Sequence, residues 1–344
     1  MRVAFWAGAV ALLVTLLQLV AIVLLRISLR ARQARHARIF ATWRPILMQS
    51  VYAAPGNLPA LPQRDLISFL AIWNHYHESL RGDVKTHLNE IAHRVGADRM
   101  VQSALRKAPF QTRLQAVVAA GHLRQTENQD VLRDMLNDES PVLSLAAARV
   151  LLQIEPERAV PHILSHITSR LDWPAARVAT MLQEAGAVNI SKPLAQMAIS
   201  AATRDAPRLI RFLALASPYE AGPAIRKILH STDDDHAIST CLQIMNDPMN
   251  LDLVRQYASH PRWHVRVQAA SALGRLGTRG DETLLEKMLS DEQWWVRYRA
   301  AQALAALPFV GWSELETIRE RQTDRFAKDI LAQIIAEQAE RNSA

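Results

Sequence analysis

Four things are scarce in this 344-residue sequence: cysteine, glycine, aromatic residues and, over the first 64 positions, acid. The single cysteine, Cys241, excludes an intramolecular disulfide and is compatible with a reducing compartment. Eleven glycines leave little material for phosphate loops, and neither GxGxxG nor GxxxxGKS/T occurs. Aromatic residues make up 6% against 49% apolar, the balance of an alanine- and leucine-rich helical chain. Residues 1–64 hold eight arginines and no acid, so the remaining 280 residues carry 40 − 8 = 32 basic against 33 acidic side chains. A net charge of −1 over that larger part argues against a nucleic-acid groove, because phosphate contacts need basic surface.

What is present begins with a long apolar run. Val3 to Leu25 is free of charge and long enough to span ~30 Å of hydrocarbon at about 1.5 Å per residue. Arg26, Arg30, Arg32, Arg35, Arg38 and Arg44 follow at once. This order predicts one uncleaved transmembrane helix over residues 1–25, with the lipid bilayer contacted by residues 3–25. The arginines then set the topology, with the N-terminus outside and the rest at the cytoplasmic face of a bacterial inner membrane. Residues 26–63 read as a basic juxtamembrane segment and linker, because Ala54 to Pro62 contains three prolines and a glycine. Residues 64–108 resume helical spacing through Leu66, Phe69, Leu70, Trp73, His77 and Leu80.

Self-similarity dominates residues 109–322. The stretch WHVRVQAASALGRLG from Trp263 repeats as WWVRYRAAQALAALP from Trp294. Trp263, Arg266, Ala269, Ala270 and Leu273 meet Trp294, Arg297, Ala300, Ala301 and Leu304. A second register, near five repeats long, sets Arg113 on Arg266, Gly121 on Gly274 and Asp138 on Asp291. Pro109, Pro141, Pro174 and Pro207 form a third ladder at helix starts, where proline costs no helix hydrogen bond. First helices are expected near residues 110, 141, 174, 207, 233, 261 and 292. The alanine pairs let neighbouring helices approach closely, while leucine and valine form the buried stripe. Trp263 and Trp294 are expected to cover contacts between repeats. Residues 323–344 read as a capping helix and tail.

These residues resemble the HEAT-repeat family, including the short variants grouped with phycobilisome-lyase-like repeats. The resemblance implies an all-α fold, a right-handed α-solenoid of about seven helix pairs behind the transmembrane helix. It also implies that an Asp in the turn and an Arg six residues later form a structural ladder. Only Asp291 with Arg297 keeps both members, since His260 precedes Arg266 at that spacing and Ser144 follows Asp138. The overall layout resembles membrane-anchored bacterial HEAT proteins that accompany glycosyltransferases of surface-polysaccharide systems.

No reactive constellation emerges. HEAT arrays can build a di-iron site from several His-Glu dipeptides; here His77-Glu78 stands alone, and His75 lies off the face of His77. Asp233-Asp234-Asp235 reads as a helix start rather than a cation site. Gly274, Gly277 and Gly280 read as helix ends, and Cys241 as core. The expected function is therefore a non-enzymatic scaffold or adaptor holding a protein partner, a glycosyltransferase complex being the narrower form. No catalytic residue, metal or cofactor is assigned. The alternative is a HEAT-like lyase or other enzyme with a site in the repeat groove.

Overall fold

The computed structural model describes the backbone of residues 2–52, 55–201 and 206–343. Among the described residues every regular element is helical. Two compact units divide the chain, Met1–Ile154 and Glu155–Ala344.

The first unit holds α1 (Arg2–Gln49), α2 (Leu66–Ser79), α3 (Val84–Arg94), α4 (Ala97–Lys107), α5 (Phe110–His122), α6 (Gln129–Met135) and α7 (Pro141–Ile154). In it α5 packs against α2, α4 and α7. The end of α1 joins this core: Trp43 and Leu47 are buried, and Trp43 meets Phe69 edge-on with centroids 4.7 Å apart. Such an aromatic pair adds about 1 kcal/mol beyond its buried area. His87 Nδ1 donates to the Ser50 carbonyl at 2.8 Å, and Arg94 Nη1 to that of Pro55 at 2.7 Å. The proline-rich stretch is thus pinned from its Pro55 end rather than free.

Among the described residues, no helix is long and apolar enough to cross a membrane. This corrects the expectation of a transmembrane helix over residues 3–25. With it go the inner-membrane location, the N-out orientation, the bilayer contact and the topology-setting role of the arginines. The apolar run reaches Leu25, the side chains of residues 3–5 and 7–14 lying outside the described residues. The helix does not end there: α1 runs on through the basic stretch and Pro45 to Gln49. Arg26, Arg30, Arg35, Arg38 and Arg44 are exposed on it, and the side chain of Arg32 lies outside the described residues.

The second unit holds α8 (Pro156–Ser169), α9 (Ala175–Ala185), α10 (Ala187–Ser200), α11 (Ala206–Phe212), α12 (Pro218–Ser231), α13 (Asp235–Ile244), α14 (Leu251–Tyr257), α15 (Trp263–Leu276), α16 (Glu282–Met288), α17 (Trp294–Ala306), α18 (Trp312–Arg321) and α19 (Arg325–Ser343). The first helices of the repeats are α5, α7, α9, α11, α13, α15 and α17. In this unit α15 packs between α13 and α17, and α17 packs on α19. Ala269, Ala270, Leu273, Ala300, Ala301 and Leu304 are all fully buried. A small side chain on each facing turn is what allows α15 and α17 to lie close. A Cβ built on Gly274 would stand 2.8 Å from Ala303 Cα. Gly274 therefore serves helix approach, not the helix end. Of the three glycines read as helix ends, Gly277 alone takes the position that closes α15.

Candidate interaction surface

The starts of the first helices line one edge of each repeat. Their polar residues are tied to the neighbouring repeat by a forward arginine–aspartate pair. Arg113 on α5 bonds Asp138, which precedes α7. Arg266 on α15 bonds Asp291 through two parallel hydrogen bonds, Nε–Oδ2 at 2.7 Å and Nη2–Oδ1 at 2.8 Å. Arg297 on α17 reaches Asp324 at 3.7 Å. Helical side chains lean toward the helix N-terminus, which carries each guanidinium to the turn beside it. Arg266 also donates to the carbonyls of His260 and Pro261, so its buried charge is fully surrounded by acceptors. A further bidentate pair, Arg255 with Asp281, links α14 to the turn before α16. Burial would raise the Asp281 carboxyl, but bonds from Arg255 and Thr278 hold it below the ordinary carboxylate range.

Outside this ladder the edge is aromatic. Trp263 is 42% exposed, Trp294 44%, Trp295 57% and Phe326 61%. Each stands at the first or second position of α15, α17 or α19. Trp294 stacks on Tyr298 with centroids 5.1 Å apart and rings 10° from parallel, and Trp295 meets it edge-on at 4.7 Å. Arg297 lies over the Phe326 ring at 5.1 Å. Trp263 and Trp294 thus leave a large part of their surface to solvent. Single exposed apolar residues are ordinary, whereas aromatic residues are enriched at the cores of protein interfaces.

Residues 97–183 and 222–305 match the sequence profile of HEAT repeats. The chain carries HEAT repeats. The span between the two matches holds α10 and α11. No curated protein matches the sequence. Among solved structures, the chain is similar to importin beta at 15% identity, covering 86% of this chain and 41% of that one, with a TM-score of 0.37. An engineered protein is similar at 14% identity over 87% and 90% of the two chains, TM-score 0.34. Human deoxyhypusine hydroxylase in complex with glycerol is similar at 15% identity over 71% and 97%, TM-score 0.30. Likenesses this distant carry no argument about function. The phycobilisome-lyase-like and membrane-anchored bacterial forms of the resemblance find no support among these relatives.

Within the HEAT repeats, the ladder runs differently from the family pattern read in the sequence. Asp291 pairs with Arg266, 25 residues before it, and Arg113 and Asp138 repeat that separation. Asp291 also accepts the backbone N–H of Gln293. The lack of an acid six residues before Arg266 therefore breaks nothing.

The remaining sequence candidates are separated by the fold. His77 faces the core of the first unit, while His75 and Glu78 are exposed. Among the described residues no group of three or more His, Cys, Asp or Glu could hold a metal ion. His77 instead stacks on His122, with centroids 4.2 Å apart and rings 18° from parallel. Asn89 spends its Nδ2 on the His122 carbonyl, so its Oδ1 accepts from His77 Nε2 at 3.1 Å. That leaves His77 Nδ1 and His122 Nε2 buried with no partner. Burial first, then the neighbouring His77, pushes His122 down to about 3; burial also lowers His77. Both rings are neutral at neutral pH. Nothing in the spacing of these two histidines announces their contact.

Asp234 caps α13, accepting from the N–H groups of His236 and Ala237. Cys241 is fully buried, and burial pushes its thiol up to about 12. A thiol so protonated is neither a nucleophile nor a metal ligand.

Proposed function

We propose that the protein is a scaffold whose HEAT repeats hold a partner protein along the aromatic edge of the second unit. The observation that carries this reading is the series Trp263, Trp294, Trp295 and Phe326, exposed at the starts of α15, α17 and α19. Tryptophan and phenylalanine combine large apolar area with few rotatable bonds, which is why such residues dominate binding energy at interfaces. The arginine–aspartate ladder behind them fixes the spacing of the edge, so little ordering is needed on binding. A narrower form of the proposal names a glycosyltransferase complex of surface-polysaccharide synthesis as the partner. It rests on the order of a basic N-terminal stretch followed by the repeats.

The test is a photo-crosslinking amino acid placed singly at Trp295 and Phe326, and at Val188 and Tyr219 as exposed positions away from the edge. The expected result is a common adduct from the first two positions only, identified by mass spectrometry. Adducts from Val188 and Tyr219 with none from the edge would move the interface elsewhere, and no adduct at any position would remove the scaffold reading. A common adduct that contains no glycosyltransferase component would end the narrower form alone.

A further inference from the structure

A cavity of about 720 Å³ opens at the start of the aromatic edge. It lies between the turn joining α12 to α13 and the first residues of α15. Asp233, Asp234, Asp235, Arg262, Trp263 and His264 line it. We infer that this groove receives a cationic side chain, arginine or lysine, from an extended segment of the partner protein. The inference rests on the scaffold reading and specifies the chemistry of what is held.

Charge is the first argument. Three carboxylates face a single guanidinium, and that guanidinium is already engaged: Arg262 Nε donates to Asp235 at 3.2 Å. Asp234 is committed to the helix cap. Asp233 is exposed and has no hydrogen bond or ion pair among the described residues. A helix start ordinarily favours anions, but at α13 the cap supplied by Asp234 fills that role. The surplus charge of the groove is negative and sits on Asp233.

The second argument is the ring beside it. Trp263 is held edge-on to His264, perpendicular with centroids 5.9 Å apart, and leaves 42% of its surface open. An indole and a carboxylate on the walls of one groove suit a cation twice over, through the ring quadrupole and through the ion pair. A planar guanidinium uses both best.

The third argument concerns size of partner. The groove, at about 720 Å³, exceeds what one small cation fills and has room for a long side chain with its flanking backbone. Glu292, before Trp294 on the next repeat, is already paired with Arg266 at 3.4 Å, so the open charge is that of the groove.

The probe is a fluorescein-labelled decapeptide of alternating arginine and leucine, compared with one of alternating glutamate and leucine. Fluorescence anisotropy is measured on the full-length protein and on D233N, W263A and, as a control in the other unit, E127Q. The expected result is binding of the arginine peptide only, weakened threefold or more in D233N and in W263A and unchanged in E127Q. Circular dichroism establishes that each variant folds; D233N, an exposed change, decides alone if W263A does not. No binding, binding of both peptides alike, preference for the glutamate peptide, or parental affinity in D233N would each overturn the inference. Adducts at Trp295 and Phe326 without arginine-peptide binding would remove the groove's assignment and leave the scaffold reading. Groove-dependent peptide binding without any adduct would do the reverse.

Discussion

Arg266 and Asp291 join two repeats through a planar, two-bonded contact whose members are 9% and 12% exposed. The pair is nearly dry, so its two halves do not contribute independently. Removing one leaves the other's charge buried without its partner, and that is the larger cost. Asp291→Ala is therefore expected to lower unfolding free energy by about 3 kcal/mol. The double variant R266M/D291L, which removes both charges, should lose less than D291A alone. Arg325→Ala, which removes a 3.9 Å pair between residues 91% and 69% exposed, should stay within about 0.5 kcal/mol. Urea melts of the four proteins check this. A D291A midpoint equal to that of R325A would mean that the ladder does not join the repeats energetically.

Close helix approach makes a second prediction. Gly274 and Gly121 occupy equivalent positions, yet their neighbours differ. A Cβ at Gly274 would meet the backbone of Ala303, whereas one at Gly121 would meet the side chains of Gln153 and Val150. A side chain can turn aside and a backbone cannot. Gly274→Ala should cost about 1–3 kcal/mol, more than Gly121→Ala, and Ala270→Leu and Ala301→Leu should cost at least as much. Thermal melting ranks the four. A Gly121→Ala protein less stable than Gly274→Ala would show that the two helix pairs yield in a different way.

The helix pairs and the alanine positions were legible in the sequence because each repeats with the helical period. The ladder was half legible. Aligning Arg113 with Arg266 sets Asp138 on Asp291, but the link between the two members spans a repeat boundary, and the six-residue spacing of Asp291 and Arg297 says nothing of it. Trp263 and Trp294 were visible as a repeated residue, but not as exposed ones; their place at helix starts, on an edge, decides that. The charges that begin at Arg26 suggest an end for the run from Val3, while the helix continues to Gln49. The contact of His77 with His122 left no mark, since it joins α2 to the last turn of α5 without any periodicity.

That histidine pair gives the third prediction. Both groups titrate near 6.5 when unfolded, and folding lowers both, His122 to about 3. Below pH 6.5 the unfolded chain binds protons that the folded one refuses. Stability from this source is therefore complete above pH 6.5 and is lost as pH falls toward 3. The slope is at most about 1.4 kcal/mol per pH unit for each histidine. Between pH 7 and about 5 the carboxylates contribute little, which isolates the histidines. His122→Phe keeps a stacked ring without a titrating nitrogen and should flatten the dependence over that interval. Unfolding free energies taken in steps of pH provide the reading, and an unchanged slope in the phenylalanine variant would place the acid sensitivity in other groups.

Trp43 against Phe69 decides where a fragment of this protein can begin. The natural choice is just after Pro62, past the proline-rich stretch, which would keep every repeat. Such a fragment would lose Trp43 and Leu47 and bare Leu66, Phe69 and Leu70, all of them buried in the whole chain. Its first helix would then be an apolar surface seeking a cover, and self-association of the fragment would report the cut rather than the protein. A shortened chain that starts ahead of Trp43 retains the lid that its own core requires.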